Sequence, residues 1–304
     1  MKYLHYLLYA LLYPFSLLPL RVHYFLSDTI LFPLIYYVMR YRVKLVQKQL
    51  KESFPEKEDK ERTEIERRFY HFFSDYVVET IKLMTMSRKE ILRRVEWVGT
   101  DFVQDDLDAH GHRLGFILVG HFGNWEWFSS LGFYMKNDFH FEQIYHPLRN
   151  KAMDELFLKM RKRGGGNCIS MKDTFRYLLS QHRRGRKMIV GTIADQSPKW
   201  EAMHQWCEFL HHKTSFFVGA ETISKKLGHS SLYYLTITRP QRGYYRAEIK
   251  LITNTPEQFP NYELTTLYAN LLEKDIQEYP HLWLWTHNRW KRTWEEWNKR
   301  QSAK

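Results

Sequence analysis

Hydrophobic positions come first in runs and then in periods along the chain. Residues 3–20 are almost wholly apolar, broken by His5, Ser16, Pro14 and Pro19. A second run, 24–39, contains Asp28 and Pro33. About 20 apolar residues span a bilayer core. The first run, at the short end of that range, reads as a membrane-anchoring helix, and the second as a segment in the interface or packed on the protein. A buried amphipathic helix pair is the alternative. No small-residue cleavage site follows, so a removable signal peptide fits poorly. Arg40, Arg42, Lys44 and Lys48 come next, and cations beyond a first span predict that the rest of the chain stays cytoplasmic. Residues 1–40 thus read as anchor and interfacial helix, and 41–304 as one domain.

Within that domain, Ile65, Phe69, Phe72, Phe73 and Tyr76 recur at spacings of three and four, the mark of a helix with one core-facing stripe. After residue 95, short apolar runs at 116–119, 141–145, 188–194, 233–238 and 245–252 predict strands. Between and after them, helices are predicted over 127–136, 153–163, 173–182 and 262–278. Residues 213–227 read as a loop and then a helix, with Thr214 as its cap. Strands alternating with helices predict an α/β layered domain. The glycine run 164–166 lacks the Gly-Lys-Ser/Thr ending of a nucleotide-binding P-loop.

Composition sharpens this picture at two points. A formal charge of +12 calls for an anionic partner. The cations are scattered and match no nucleic-acid module, which argues against nucleic acid. Cys168 and Cys207 make no disulfide framework. The tail carries Trp283, Trp285, Trp290, Trp294 and Trp297 among Arg289, Lys291 and Arg292. Tryptophans beside cations suit a membrane interface or, equally, plugs in the core.

The chemistry concentrates in 117–127, Ile-Leu-Val-Gly-His-Phe-Gly-Asn-Trp-Glu-Trp. A buried strand would deliver His121 to its C-terminal end. His121 and Glu126 are five apart and meet only if the chain turns between them. Gly123 permits that turn, and Asn124 suits the N-cap of a helix starting at Trp125. Glu126 bonded to one imidazole nitrogen would leave the other free as a general base. The strand 188–194 ends at Asp195-Gln196, and open α/β sheets build sites at strand ends, which brackets His121 and Asp195 as facing one crevice. No His-Glu-x-x-His motif occurs and His211-His212 lack ligand spacing, so no catalytic metal is expected. A Gly-x-Ser-x-Gly nucleophile elbow is also missing.

These residues resemble a known family. Gly120-His121-Phe122-Gly123-Asn124-Trp125-Glu126 matches the His-x-x-x-x-Asp/Glu box of glycerolipid acyltransferases. More narrowly, the chain resembles the late acyltransferases of lipid A biosynthesis over nearly its whole length. The basic segment 42–55 resembles that family's basic helix. Tyr145-His146-Pro147 with Arg149, Asn150, Asp154 and Arg161 resembles its second block, with His146 where the pattern has arginine. Ala194-Asp195-Gln196 resembles the third block, and the stretch 279–291 the closing pattern.

The resemblance implies a layered mixed sheet flanked by helices, at the cytoplasmic face of a bacterial inner membrane. It implies transfer of a fatty acyl chain from acyl carrier protein, as co-substrate rather than cofactor, to a hydroxyl of a lipid A precursor. His121 would be the base and Glu126 its orienter. Asn124, Arg149, Arg161, Asp195, Gln196 and Thr214 are candidate substrate-binding residues. Backbone amides near Gly123 and Asn124, or Arg161, are candidate oxyanion donors. Arg149 and Arg161 are alternatively a phosphate clamp, with Asp195 holding them. The basic balance suits an acidic carrier protein and an anionic membrane surface. Two other readings stand beside this one: an acyltransferase for an amino-acid lipid, glycolipid or lysophospholipid, and a non-enzymatic protein that binds anionic lipid.

Overall fold

The computed structural model describes residues 2–136 and 138–302, with side chains from Tyr9 onward; the apolar side chains expected for the anchor at residues 3–8 lie outside the described set. The chain opens with helices α1 (Lys2–Leu17) and α2 (Leu20–Leu26), followed by π turns at Ser27–Leu31 and Leu34–Val38. Helices α3 (Val43–Ser53), α4 (Asp59–Lys82) and α5 (Arg88–Arg94) lead into strand β1 (Val95–Val98) and α6 (Thr100–Ala109). Then come β2 (Leu114–Val119), a 3₁₀ segment at Trp127–Tyr134, β3 (Phe139–Tyr145), α7 (Lys151–Lys162) and β4 (Asn167–Ser170). Next are α8 (Thr174–Arg183), β5 (Lys187–Ile193), the short pair β6 (Cys207–Phe209) and β7 (His212–Thr214), and α9 (Gly219–Leu227). The hairpin β8 (Ser230–Gln241) and β9 (Tyr244–Thr253), then α10 (Glu263–Glu278) and α11 (Trp294–Ser302), complete the chain.

Seven strands form one mixed sheet in the order β1-β9-β8-β2-β5-β3-β4. Strand β2 is central, parallel to β5 on one side and β8 on the other. All six of its residues are buried, as a strand covered on both faces requires. Its run Leu114 to Val119 pairs in register with Met188 to Ile193 of β5. The C-terminal ends of β2 and β5 therefore lie side by side, and His121 and Asp195 follow those ends. The expected α/β layering is what the structure has.

Helix α4 begins at a capping box between Glu58 and Glu61. It buries the predicted stripe of Ile65, Phe69 and Phe72. Its last turns carry Asp75 and Glu79, both buried in a charged network. Arg239 Nη2 donates to Asp75 Oδ2 at 2.8 Å and to Glu79 Oε1 at 3.2 Å, and Arg242 bridges Asp75 and Asp28. Tyr24 and Tyr245 donate their hydroxyls to Glu79 at 2.8 and 2.7 Å. This network ties the N-terminal segment and the β8–β9 hairpin to α4.

The N-terminal segment is broken into several pieces and is not one continuous helix. Among the described residues no single helix is long and apolar enough to cross a membrane, because α1 stops at Leu17, just before Pro19. By length and composition, only the segment Leu20–Val38 taken with Val43–Ser53, bent by 81°, passes such a test. Half of that pair, α3, buries Val43, Val46 and Leu50 in the core. The rest exposes Phe25, Ile30, Tyr37 and Val38, and α1 exposes Leu11 and Leu17. The tail tryptophans divide as well: Trp283 and Trp285 are core plugs at 2% and 0% exposure. The triple glycine is a packing contact, since a Cβ on Gly164 would overlap the backbone of Ser129.

Removing one partner of a buried ion pair strands the other charge, at a cost of about 3–5 kcal/mol. Glu79→Ala should therefore lower stability by that order in chemical denaturation, while a shift under 1 kcal/mol would show the network to be dispensable. A pH effect follows from His281, in the turn after α10. Burial, then the charges of Arg68 and Arg239, lower its pKa from 6.5 to about 4. The unfolded chain takes up this proton near 6.5 and the folded chain only near 4. Stability is thus complete above about 6.5 and falls as the pH drops through that window, by about 2 kcal/mol after allowance for partial exposure. Thermal melts of wild type and His281→Gln between pH 7 and 4 should diverge, the variant losing less; parallel curves would exclude the assignment.

Candidate active site

The turn after β2 is built by glycine and by contact with the tail. Gly123 adopts φ +60°, where a Cβ would meet Ile237 at 2.8 Å. The tail runs alongside: Gly123 N donates to Leu282 O, Leu284 N donates to His121 O, and Phe122 bridges Trp283. Because Gly123 N–H is already engaged, it is not a free oxyanion donor. Asn124 does not cap a helix. Its side chain is buried and donates to Glu79 Oε2 at 2.8 Å. Without that cap the chain tightens into i→i+3 bonds, from Trp127 N to Asn124 O and from Phe128 N to Trp125 O. The expected α-helix becomes the 3₁₀ segment.

The partner of His121 is Asp195, not Glu126. His121 Nδ1 lies 2.6 Å from Asp195 Oδ1, and the His121 backbone N–H donates to Asp195 Oδ2 at 2.9 Å. A carboxylate only accepts, so Nδ1 carries the proton and Nε2 presents a lone pair. Trp283 Nε1 also donates to Asp195 Oδ2, at 2.8 Å. Burial alone would raise the Asp195 pKa, but the charge and hydrogen bond of His121, with the Trp283 bond, hold it below the usual carboxylate range. Fully buried Arg289 adds a nearby positive charge. Burial pulls Arg289 down to about 10 while Asp195 opposes the shift. On the other side of the ring, Gln196 Nε2 sits 3.2 Å from His121 Nε2.

Glu126 is also buried, at 2% exposure. It is held by Arg161 of α7 through a two-pronged pair, Nε to Oε2 at 2.8 Å and Nη2 to Oε1 at 2.7 Å. Burial would lower the Arg161 pKa, but the Glu126 charge and hydrogen bonds raise it, so the guanidinium stays charged. Its Nη1 has no hydrogen bond among the described residues. The predicted pairing thus changes partners, because the 3₁₀ turn points Glu126 toward α7.

Both systems border one cavity of about 480 Å³, lined by His121, Glu126, Arg161 and Gln196 and by Trp97, Ile117, Phe128, Leu131, Phe141 and Leu235. A few polar groups in a mostly apolar cavity suit an apolar ligand with a reactive polar head. His146, Leu148 and Met171, at the ends of β3 and β4, also line it and are exposed. They form its mouth.

One family model, that of the bacterial lipid A biosynthesis acyltransferases, matches residues 1–292. The chain belongs to that family. It is therefore an acyltransferase of lipid A biosynthesis. No curated protein matches the chain significantly.

The remaining candidates of this acyltransferase separate clearly. Arg161 and Gln196 line the cavity, whereas Asn124, Arg149 and Thr214 do not. Arg149 is exposed in the loop at the mouth, away from Asp195, so Asp195 holds neither it nor Arg161. Thr214 belongs to β7, paired with Cys207, and α9 starts after Val218 without it. Sequence reasoning missed Trp283 as the second donor to Asp195. No local spacing links residues 88 positions apart. Among the described residues no cluster of three or more His, Cys, Asp or Glu side chains is arranged to hold a metal ion.

The Glu126–Arg161 pair is testable apart from catalysis. Arg161→Met strands a buried carboxylate and should cost about 3–5 kcal/mol, and adding Glu126→Leu should restore most of it. Denaturation of the single and double variants measures the coupling; simple additivity would show the pair to be energetically idle.

Proposed function

We propose that the protein transfers a fatty acyl chain from the thioester of acyl carrier protein to a hydroxyl of a lipid A precursor, with His121 as general base and Asp195 as its orienter. One observation carries the reading: a histidine bonded at Nδ1 to a buried carboxylate, its ring lining a mostly apolar cavity. An alcohol loses its proton far above neutrality and needs a base aligned with it. The acceptor hydroxyl displaces Gln196 from Nε2 and gives its proton to that nitrogen as its oxygen attacks the thioester carbonyl. The C–O bond forms, the tetrahedral intermediate collapses, and the C–S bond breaks. The sulfur leaves with the proton returned by His121. Asp195 stabilises the imidazolium formed in between.

Arg161, kept charged by Glu126, supplies free Nη1 N–H groups for the oxyanion or for an acceptor phosphate. The acyl chain lies among Trp97, Phe128 and Phe141. Exposed Arg149 adds positive charge at the mouth for a phosphorylated headgroup. The exposed apolar side chains of the N-terminal segment, Leu11, Leu17, Phe25, Ile30, Tyr37 and Val38, seat the enzyme in the membrane interface at the cytoplasmic side, so that the acceptor enters from the lipid.

The test is turnover of acyl carrier protein thioester with a lipid A precursor, read by mass spectrometry. His121→Ala should reduce kcat by about 10²–10⁴-fold, and Asp195→Asn by a comparable factor through the lost tautomer. Full activity in His121→Ala would remove the base assignment. Activity on other lipids but none on the lipid A precursor would keep the chemistry and change the acceptor.

A further inference from the structure

The first residue of α8, Thr174, lines the cavity, and Met171, just before the helix, lines it while 41% exposed. The helix runs back along the sheet from the mouth toward the start of β5, about 14 Å from Thr174 to Arg183. Its outer surface holds a shallow depression lined by Arg176, Leu179, Ser180, Arg183 and Arg184. Phe175 is 44% exposed beside it, with Lys226 of α9 over its ring at 5.9 Å. Among the described residues, none of the Arg176, Arg183 and Arg184 side chains has a hydrogen bond or ion pair. The nearby acids are already engaged: Asp173 accepts from Ser170 Oγ, and Glu221 is buried against Lys225. Free cations around exposed apolar side chains, on a helix whose first residue lines the substrate cavity, favour an acidic macromolecule with an apolar patch of its own.

The sheet topology gives this surface a distinct side of the molecule. The crossover from β3 to β4 runs outward and that from β4 to β5 runs back. Right-handed crossovers therefore place α7 and α8 on opposite faces of the sheet. Helix α1 packs against α7, whereas α9 packs against α8. The apolar N-terminal surface and the cationic surface consequently belong to different faces that share one cavity at the strand ends.

We propose that the cationic face of α8 is the docking surface for the acidic carrier protein that delivers the acyl thioester. This rests on the donor proposed above, and the experiment has one arm that does not depend on turnover. In that arm, binding of an acyl carrier protein loaded with a non-transferable amide analogue is measured for wild type and for Arg176→Glu/Arg183→Glu/Arg184→Glu. The expected result is at least tenfold weaker binding in the variant and salt-sensitive binding in wild type; equal binding, or no binding by wild type, overturns the surface. In the second arm, the same triple variant should show at least a tenfold higher KM for the carrier-bound donor. Its kcat, and its turnover of acyl-pantetheine, should be unchanged. An equal loss with both donors would assign the effect to the fold and overturn docking. Arg→Lys at the three positions should restore KM. If wild type binds the carrier but transfers no acyl chain, the surface stands and the proposed reaction falls.

Discussion

A carboxylate taken out of water costs several kcal/mol unless hydrogen bonds and charge replace its hydration, and Asp195 is such a group. Its replacements come from two separate stretches of chain. The end of β2 supplies the His121 ring and backbone N–H, and the tail supplies the Trp283 indole and the Arg289 charge. The aspartate itself follows β5. Satisfying one buried charge thereby fixes two strand ends and a distant tail in one register. The approach is close: a Cβ on Gly120 would meet Leu272 at 2.7 Å and Asp195 Oδ2 at 3.4 Å. The tail is fixed from behind by α3, where Arg42 donates to Thr286 O and Gln49 Nε2 donates to Trp285 O. The basic segment before α4 thus has a structural task besides any electrostatic one.

The site keeps its two acids apart by giving each its own nitrogen-bearing partner. Asp195 faces an imidazole, whose charge would change in the proposed proton transfer, whereas Glu126 faces a guanidinium that stays charged. Were Glu126 free, its negative charge beside the cavity would repel a developing oxyanion. Paired with Arg161, it leaves a local dipole with spare donors instead. The same logic reaches one layer deeper. Glu79 accepts from Asn124 and Tyr245 through Oε2 and from Tyr24 and Arg239 through Oε1. That carboxylate holds the turn that carries His121 against α4, which also packs against the N-terminal helices.

The strands of the sheet were legible because a strand buried on both faces leaves a continuous apolar run, and 116–119 and 188–194 are such runs. Their ends exposed His121 and Asp195 as neighbours in one crevice. The partner exchange was hidden. From sequence, Glu126 is the nearest acid to His121, and only the diversion of Asn124 to Glu79 turns it toward α7. That diversion depends on a residue 45 positions earlier, which no local pattern encodes. Thr214 resembled a helix cap because hydroxyls favour caps, yet tertiary pairing drew it into β7. The tail tryptophans were ambiguous because burial and interface seating select the same side chain. Composition alone cannot separate the two.

On the proposed reaction, the crossover pattern gives one cavity two separate approaches for two unlike substrates. A parallel sheet with helices on both faces has one set of strand ends but two sides from which to reach it. Here the exposed apolar side chains of the N-terminal segment and the unpaired arginines of α8 belong to opposite faces. A lipid and an acidic soluble donor would be attracted by incompatible surfaces if both had to approach along one path, since cations desolvated in an apolar interface lose their hydration. Separating the approaches leaves only the reacting groups to meet, at the strand ends where Asp195 holds His121. Placing α7 and α8 on opposite faces takes only the right-handedness of two short crossovers.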